Sequence, residues 1–581
     1  MRVVFVSFLV ACAGEDPIDS DTDTDVAVVD AGPDVDDDGD GVTENDGDCD
    51  DANAAVNPTA VETCDPGDED CDGLVDAADP DAPIRYADLD GDGAPGTAVG
   101  CDDGADAPTD CNDGDETIYP GATEGFCDGI DSDCADGGLE VAAFGTRLFT
   151  TLNQAVKSAG LTDTIYICPG VHSGPAANKG QEFEGLTFTS YTGKAEDAVL
   201  QASSEGNILF AAGVWSMHDL TIRGAEPPST GAYPCIQGAG GTSIDVARVR
   251  FENCTSGAGA LRVALSEGGT LNVTDSTFVG NTNAITALIE NQGQLNVSDT
   301  TFEDNEVTRD GAVVGMTLQS GTGTFTLTDL TFTDNASSQG GNVFDITVDA
   351  ASELLTATLE RVTLTGSSTT RGGATMSVHG YGPGNLSLAF DQVEFTDTVT
   401  TGTGALEVSY LDSAKVTMTD VSFEDTGVPS GTKKGGGTLK MFELGTLDLA
   451  LTRVDLRGGT TTDDVEDNCS AADIDAKGGS VAFDTVNIVG NEVDDSPGCT
   501  VAFRGTGPMA IDWKDVTLSK NTGEAQTVVD FGLNAGNTAK LTNVVFGAGA
   551  DANEGADLDG CSPDRIGTIA SASLSSSALC P

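Results

Sequence analysis

The sequence predicts an all-β protein, a parallel β-helix solenoid of about twelve coils preceded by small disulfide-rich, metal-binding acidic repeats. The first observation is a repeat. Variants of Gly269-Thr-Leu-Asn-Val-Thr-Asp-Ser-Thr-Phe-Val-Gly-Asn281 recur along the chain. Their late apolar residue returns as Ile222, Phe251, Phe278, Phe302, Phe332, Leu364, Phe395, Phe423, Leu456, Ile488, Leu518 and Phe546, at intervals of 24 to 33 residues. A unit of that length cannot bury its own apolar face and must stack on its neighbours. The second observation is the period within each unit. Leu271 and Val273, Val416 and Met418, and Leu447 and Leu449 alternate with polar residues, as half-buried strands do. The third is charge. The chain holds 96 Asp plus Glu against 25 Lys plus Arg, a net charge of -71, and residues 13–140 take 42 of the acids with a single base, Arg85. That region cannot fill a core without help from metal ions or disulfides.

Residues 1–11 read as a short secretion signal, with one positive charge before an apolar run. A membrane span needs about 20 apolar residues, more than this run offers. Leu9-Val10-Ala11-Cys12 resembles the lipobox of bacterial lipoproteins. The resemblance implies cleavage before Cys12 and acylation of that residue. With Ala13 following in place of Asp, it also implies transport to the outer membrane. Residues 12–33 are polar, acidic and without pattern, and read as a disordered tether. Removing Cys12 from the fifteen cysteines leaves an even number, as expected of an exported disulfide-bonded protein. Close spacing suggests the pairs Cys235–Cys254, Cys469–Cys499 and Cys561–Cys580. Cys168 is then left to pair with one of Cys49, Cys64, Cys71, Cys101, Cys111, Cys127 and Cys134.

Residues 34–82 and 83–140 form two related units. The first carries Asp36-Asp-Asp-Gly-Asp-Gly41, then Asp48-Cys-Asp-Asp51, Asn57-Pro58, Glu62, Cys64-Asp65, Asp68 and Asp70-Cys-Asp-Gly73. The second carries Asp88-Leu-Asp-Gly-Asp-Gly93, Cys101, Asp110-Cys-Asn-Asp113, Tyr119-Pro120, Glu124, Cys127-Asp-Gly129, Asp131 and Asp133-Cys134. This pattern resembles the MopE-type metal-binding repeat of exported bacterial proteins, over most of residues 34–140 and nothing beyond. The first unit lacks a counterpart of Cys101, and the second has Ala135 where the first has Asp72. The family is associated with copper, but residues 34–140 contain no His, Met or Trp to suit that metal. Carboxylates at alternate positions before a Gly, as in Asp36, Asp38 and Asp40, and again in Asp88, Asp90 and Asp92, can converge on one hard cation. The twelfth positions of these loops are Gly47 and Val99, so neither is an EF-hand. They look more like the calcium loops of thrombospondin type 3 repeats. Asp46, Asp48 and Asp51 could complete the shell in the first unit, and Asp110 and Asp113 in the second. Asp65, Asp70, Asp128, Asp131 and Asp133 are further candidate ligands. Oxygen-only ligation favours Ca2+ over transition metals, copper included. The blander alternative is a solvated acidic linker, against which the matched cysteine spacing argues for a fold.

Residues 141–581 open with a helical face of Phe149, Leu152, Val156 and Ala159, followed by the strand Thr164-Ile-Tyr-Ile-Cys168 and Pro169-Gly170. This opening resembles the N-terminal cap of right-handed parallel β-helix proteins of the pectate-lyase-like class. There a helix covers the open end of the solenoid, which would otherwise expose strand edges. Second short strands open with small residues at Gly257–Val263, Gly311–Val314, Gly340–Phe344, Gly372–Met376 and Gly435–Leu439. The Asn after many turns (Asn281, Asn305, Asn335, Asn491 and Asn521) fits an internal ladder, because Asn tolerates left-handed backbone and its amide can bond the next coil. The repeated Phe residues, Trp215 and Trp513 read as core. Gly567–Leu579 reads as a weak closing strand.

So acidic a chain excludes nucleic acid and anionic membrane surfaces as partners. The partners expected are a membrane, through the lipid anchor, and a surface polysaccharide or protein ligand. No catalytic constellation stands out. Asp304, Asp334, Asp397 and Asp425 sit in turns, and Asp463-Asp464 and Asp494-Asp495 in insertions. His172, His218 and His379 are scattered, and only His379 lies in a Gly-rich loop. The expected function is therefore that of a lipid-anchored cell-surface protein whose calcium-binding repeats space out a β-helix for binding, adhesion or surface structure. The alternatives are a β-helix polysaccharide lyase or hydrolase, and copper scavenging by the acidic repeats.

Overall fold

The computed structural model describes residues 32–573 outside short segments, of which the longest are 136–140, 203–207, 226–233, 428–436, 463–468, 531–537, 547–555 and 560–567; along parts of some strands it describes the backbone alone. The signal, Cys12, the tether before residue 32, Asp65, Cys101, Asp463, Asp464, Asp495, Cys561 and Cys580 lie outside the described residues. The chain divides into one unit of residues 1–123 with 131–135 and another of 124–130 with 136–581. Among the described residues no helix is long and apolar enough to cross a membrane.

The first unit has little regular structure, namely one 3-10 turn, Glu44–Asp46, and an antiparallel pair, Arg85–Ala87 with Thr97–Gly100. Its loops are shaped by Asp side chains instead. Asp36 accepts the N–H groups of Gly39 at 2.6 Å and Gly41 at 3.0 Å, and Asp88 accepts those of Gly91 at 2.7 Å and Gly93 at 3.0 Å. The left-handed backbone these turns require falls on Gly41 and Gly93, each at φ +100°. Two disulfides staple the loops, Cys49–Cys71 and Cys111–Cys134.

The second unit is a parallel β-solenoid. A short antiparallel hairpin (Ala142–Phe144 with Arg147–Phe149) precedes the helix Leu152–Ser158. Thr151 caps the helix by accepting the Gln154 N–H at 3.3 Å. The helix buries Leu152, Ala155 and Val156. Phe149 and Ala159, expected on the same helical face, flank it, with Phe149 ending the strand and Ala159 extended at the C-cap. From Thr164–Ile167 onward successive strands pair in parallel. All twelve predicted repeat residues fall in one unbroken column, from Ile222 opposite Phe251 to Leu518 opposite Phe546. The predicted second strands appear as Leu261–Thr274, Ala312–Leu318, Asn342–Val348, Met376–Gly380 and Leu439–Leu444, and the closing one as Thr568–Ser573.

The column is the core. Phe251, Phe278, Phe302 and Phe332 stack with centroids 4.6, 5.1 and 4.5 Å apart and rings within 11° of parallel. Phe395 and Phe423 repeat the arrangement at 4.5 Å, and Trp215 and Trp513 are buried among these residues. Coils one strand spacing apart bring equivalent rings close enough to stack. Three residues after the markers Phe278, Phe302, Phe332, Ile488 and Leu518 lies the Asn ladder. Asn281 donates its side-chain amide to Asn305 Oδ1, and Asn305 to Asn335 Oδ1, each at 3.0 Å, and Asn491 donates to Asn521 at 3.0 Å. Each of these amides also donates to a core carbonyl of the preceding coil, Asn281 to Phe251, Asn305 to Phe278 and Asn491 to Leu456. The turn carboxylates Asp304, Asp334, Asp397 and Asp425 are exposed, as solvated groups should be.

One feature of the corner was not read from the sequence. The residue three before every marker, from Asp219 to Asn543, has left-handed backbone. Where that residue is Arg, an Asp in the preceding coil holds it with two hydrogen bonds. Arg248 pairs with Asp219, Arg361 with Asp329 and Arg453 with Asp420, all at 2.5–2.9 Å. Disulfides Cys127–Cys168, Cys235–Cys254 and Cys469–Cys499 complete the second unit, so Cys168 does pair with a cysteine N-terminal to the solenoid.

Candidate metal centre

The acidic loops gather carboxylates faster than they gather hydrogen-bond donors. In the first repeat one carboxylate oxygen from each of Asp36, Asp38 and Asp40 lies within 4.8 Å of the others, and Asp88, Asp90 and Asp92 do the same in the second. The inner oxygens of these turns are used locally: Asp38 accepts the Asp40 N–H at 3.1 Å, Asp40 the Val42 N–H at 2.8 Å, Asp90 the Asp92 N–H at 3.2 Å and Asp92 the Ala94 N–H at 2.8 Å. Asp40 Oδ2 also receives the Asn57 amide at 2.7 Å, which ties the loop to the Asn-Pro segment.

The remaining oxygens are the informative ones. Asp38 Oδ2, Asp48 Oδ2 and Asp51 Oδ1 are buried without a hydrogen-bond partner, and so are Asp90 Oδ2, Asp110 Oδ2 and Asp113 Oδ2 at the equivalent places of the second repeat. Asp48 is 5% exposed, Asp51 7% and Asp110 9%. The other oxygen of Asp51 accepts the Asp37 N–H at 3.3 Å, and that of Asp113 accepts the Leu89 N–H at 2.8 Å. A buried carboxylate oxygen left without a hydrogen-bond donor is costly unless a cation neutralises it. Burial, with the neighbouring carboxylates adding to it, raises the Asp38 and Asp51 carboxyls above the usual range.

A second cluster was anticipated only in part, since the sequence offered Asp70 as a ligand but not Glu62, Asp68, Asp72 or Asp79. Glu62, Asp68 and Asp70 bring carboxylate oxygens within 4.8 Å of one another, and so do Asp70, Asp72 and Asp79. Glu62 Oε1 accepts the N–H groups of Glu69 at 2.8 Å and Asp70 at 3.0 Å, while Glu62 Oε2 and Asp68 Oδ1 are buried without a hydrogen-bond partner. The signal was present in the sequence. Asp68-Glu-Asp-Cys-Asp-Gly73 has the same alternate-Asp-before-Gly pattern as Asp36–Gly41, and Asp68 accepts the Gly73 N–H at 3.0 Å just as Asp36 accepts that of Gly41. Burial raises the Asp70 carboxyl as well. In the second repeat Ala135 breaks the pattern. Asp131 and Asp133 there both accept the Ala135 N–H, at 3.2 and 3.0 Å. Asp46 is exposed and accepts the Thr43 hydroxyl, and Asp128 is exposed and accepts the Ile130 N–H.

The donor set fits a hard divalent cation. Oxygens supply it, and the sulfurs beside Asp110 belong to the Cys111–Cys134 disulfide and offer no thiolate. Cys64 forms no disulfide among the described residues. A family model described as a metal-binding motif, of the copper-binding MopE type, matches residues 48–77 and 110–138. The chain thus carries two copies of that motif, each spanning a stapled acidic loop. No curated protein and no solved structure matches the chain.

Proposed function

We propose that the acidic repeats are a calcium-loaded, disulfide-stapled spacer, and that the chain is a lipid-anchored outer-surface protein whose solenoid is presented for binding or adhesion. The observation that carries the metal reading is the matched set of buried, unpartnered carboxylate oxygens on Asp38, Asp48 and Asp51 and on Asp90, Asp110 and Asp113. These residues, with Asp36, Asp40, Asp88 and Asp92, would hold Ca2+, whose role would be to neutralise charge and fix the loops. Glu62, Asp68, Asp70 and Asp72 would hold a further ion. The lipobox-like Cys12 supports the anchor, and a disulfide-stapled segment that follows it in sequence and precedes the solenoid suits a spacer. The copper association of the matched motif favours a second reading, metal scavenging. Dialysis of the full chain against equimolar Ca2+ and Cu2+, followed by metal analysis, separates the two. Retained Ca2+ that is lost in Asp48→Asn and Asp110→Asn supports the spacer, and selective retention of Cu2+ overturns it. Labelling with a radioactive fatty acid, abolished by Cys12→Ala, tests the anchor.

A further inference from the structure

The solenoid has a cleft of about 810 Å3 where strands Met376–Gly380, Leu406–Ser409 and Leu439–Leu444 lie on successive coils. It shares Asn342, His379 and Tyr381 with a smaller hollow of about 390 Å3 on the preceding coils. Gly380 shapes its floor, since a Cβ there would strike the Tyr410 carbonyl of the next coil.

Two aromatic rings stand at the cleft. Tyr381 is 69% exposed and Tyr410 49% exposed, unlike the buried rings of the core. Neither ring is loose. Tyr381 meets His379 edge-on at 5.0 Å and Tyr410 meets Phe442 edge-on at 5.1 Å. Tyr410 and Glu443 hold left-handed backbone, at φ +58° and +56°, a turn conformation that the solenoid also adopts at its corners.

Charge supplies the rest. Glu407, Asp412 and Glu443 line the cleft, and none of the three forms an ion pair among the described residues. Glu407 accepts the Ser409 hydroxyl at 2.9 Å. Asp345, in the adjoining hollow, is held by the Asn342 amide at 2.8 Å and the Thr347 hydroxyl at 3.2 Å, with His379 Nδ1 3.6 Å away. Against these four carboxylates stand His379 and Lys477. Lys440, next to Glu407 in register, lies over the Phe442 ring 5.5 Å from its centroid, so an aromatic face beside the cleft already takes a cation.

We propose that this cleft binds an organic cation, an amine or guanidinium group seated between the Tyr381 and Tyr410 rings and the Glu407 and Glu443 carboxylates. Ring quadrupoles attract a desolvated cation, and carboxylates in a partly enclosed, net-negative site concentrate it. The cation is either a free small molecule or an Arg or Lys side chain of a partner protein. This names the ligand chemistry of the solenoid face and so rests on the reading of that face as the binding part, whereas the metal experiments address the repeats, so each can fail alone.

The test is calorimetric titration of the full chain, in saturating Ca2+, with agmatine, which carries both an amine and a guanidinium. Arg in an end-blocked tripeptide is the second probe. Saturable binding is expected to weaken about tenfold in Tyr381→Ala and in Glu407→Gln, to persist in Tyr381→Phe, to tighten in Lys477→Ala and to fall as salt is raised. Agmatine binding alone supports a free small cation, and equal binding of the tripeptide supports a protein side chain. Circular dichroism of each variant establishes that the solenoid is intact, and the cleft variants separate the site from loose attraction to the acidic repeats. The proposal is overturned if neither probe binds saturably. It is equally overturned if the Tyr381→Ala/Glu407→Gln double variant binds as the parent does, or if a neutral glucose hexasaccharide occupies the cleft in a salt-independent, Tyr381-dependent manner while the cations do not.

Discussion

Replacing Asn305 with Ala should be among the most damaging single changes in the solenoid. Asn305 is fully buried. Its Oδ1 accepts the backbone N–H and the side-chain amide of Asn281, both at 3.0 Å, and its Nδ2 donates to the Phe278 carbonyl at 2.9 Å and to Asn335 Oδ1 at 3.0 Å. Alanine removes all four bonds and strands at least three buried groups, two donors on Asn281 and the Phe278 carbonyl. Each orphan costs about 1–3 kcal/mol, and partial relaxation brings the expected total to about 3–5 kcal/mol. A solenoid is coupled through nearest neighbours, so the loss should be local. Hydrogen exchange followed by mass spectrometry should show protection falling in Leu261–Thr274, Gly293–Glu303 and Gly321–Thr333 while Met509–Ser519 keeps its own. A loss below about 1 kcal/mol, or one spread evenly along the solenoid, would refute the ladder as a structural element.

Further outcomes follow from the same structure. With a chelator present, the first acidic repeat should become more stable as the pH is lowered. Burial raises the Asp38, Asp51 and Asp70 carboxyls above the unfolded value of about 3.9, so their folded forms favour the proton, and stability is lost as pH rises through the raised values. Saturating Ca2+ should abolish or reverse that slope, as measured by thermal unfolding across pH. Removing the Cys49–Cys71 bridge by double Ala substitution should cost the first repeat about 3 kcal/mol, from the 22-residue separation it closes, and should weaken Ca2+ binding in calorimetry. Arg361→Ala should cost less than about 1 kcal/mol in urea unfolding despite its two hydrogen bonds to Asp329 and one to Glu360, because Arg361 and Asp329 are 41% and 40% exposed.

The sequence made the solenoid legible because its signal is local and repeated. An apolar residue after an alternating run marks each coil, and the twelve so marked fall into a single register. The Asn ladder was legible for the same reason, at a fixed distance from the marker. Disulfides between neighbouring coils followed from proximity, as with Cys235–Cys254. The corner ladder was less visible because Asp329 and Arg361 are 32 residues apart, and their pairing has meaning only once the register is known. The cleft was hidden by the same circumstance. Asp345, Ser377, Glu407 and Lys440 align on successive coils, but loops of unequal length separate them from the marker strands. At the acidic repeats, Asp36–Asp40 and Asp88–Asp92 were read from their spacing. Of the cluster Glu62, Asp68, Asp70 and Asp72 only Asp70 was, because Cys71 in its midst drew the others into a disulfide motif.

The central claim is that buried carboxylates of the repeats hold a hard cation. Calorimetric titration of the full chain with Ca2+, and separately with Cu2+, tests it most directly when paired with the Asp51→Asn/Asp113→Asn variant. Saturable Ca2+ binding is expected, at a Kd of about 10⁻³ M or tighter, as in extracellular calcium modules. That binding should raise the unfolding temperature and be lost in the variant, with no selective Cu2+ site. Tight Cu2+ binding that survives the double substitution, with no Ca2+ response, would contradict it.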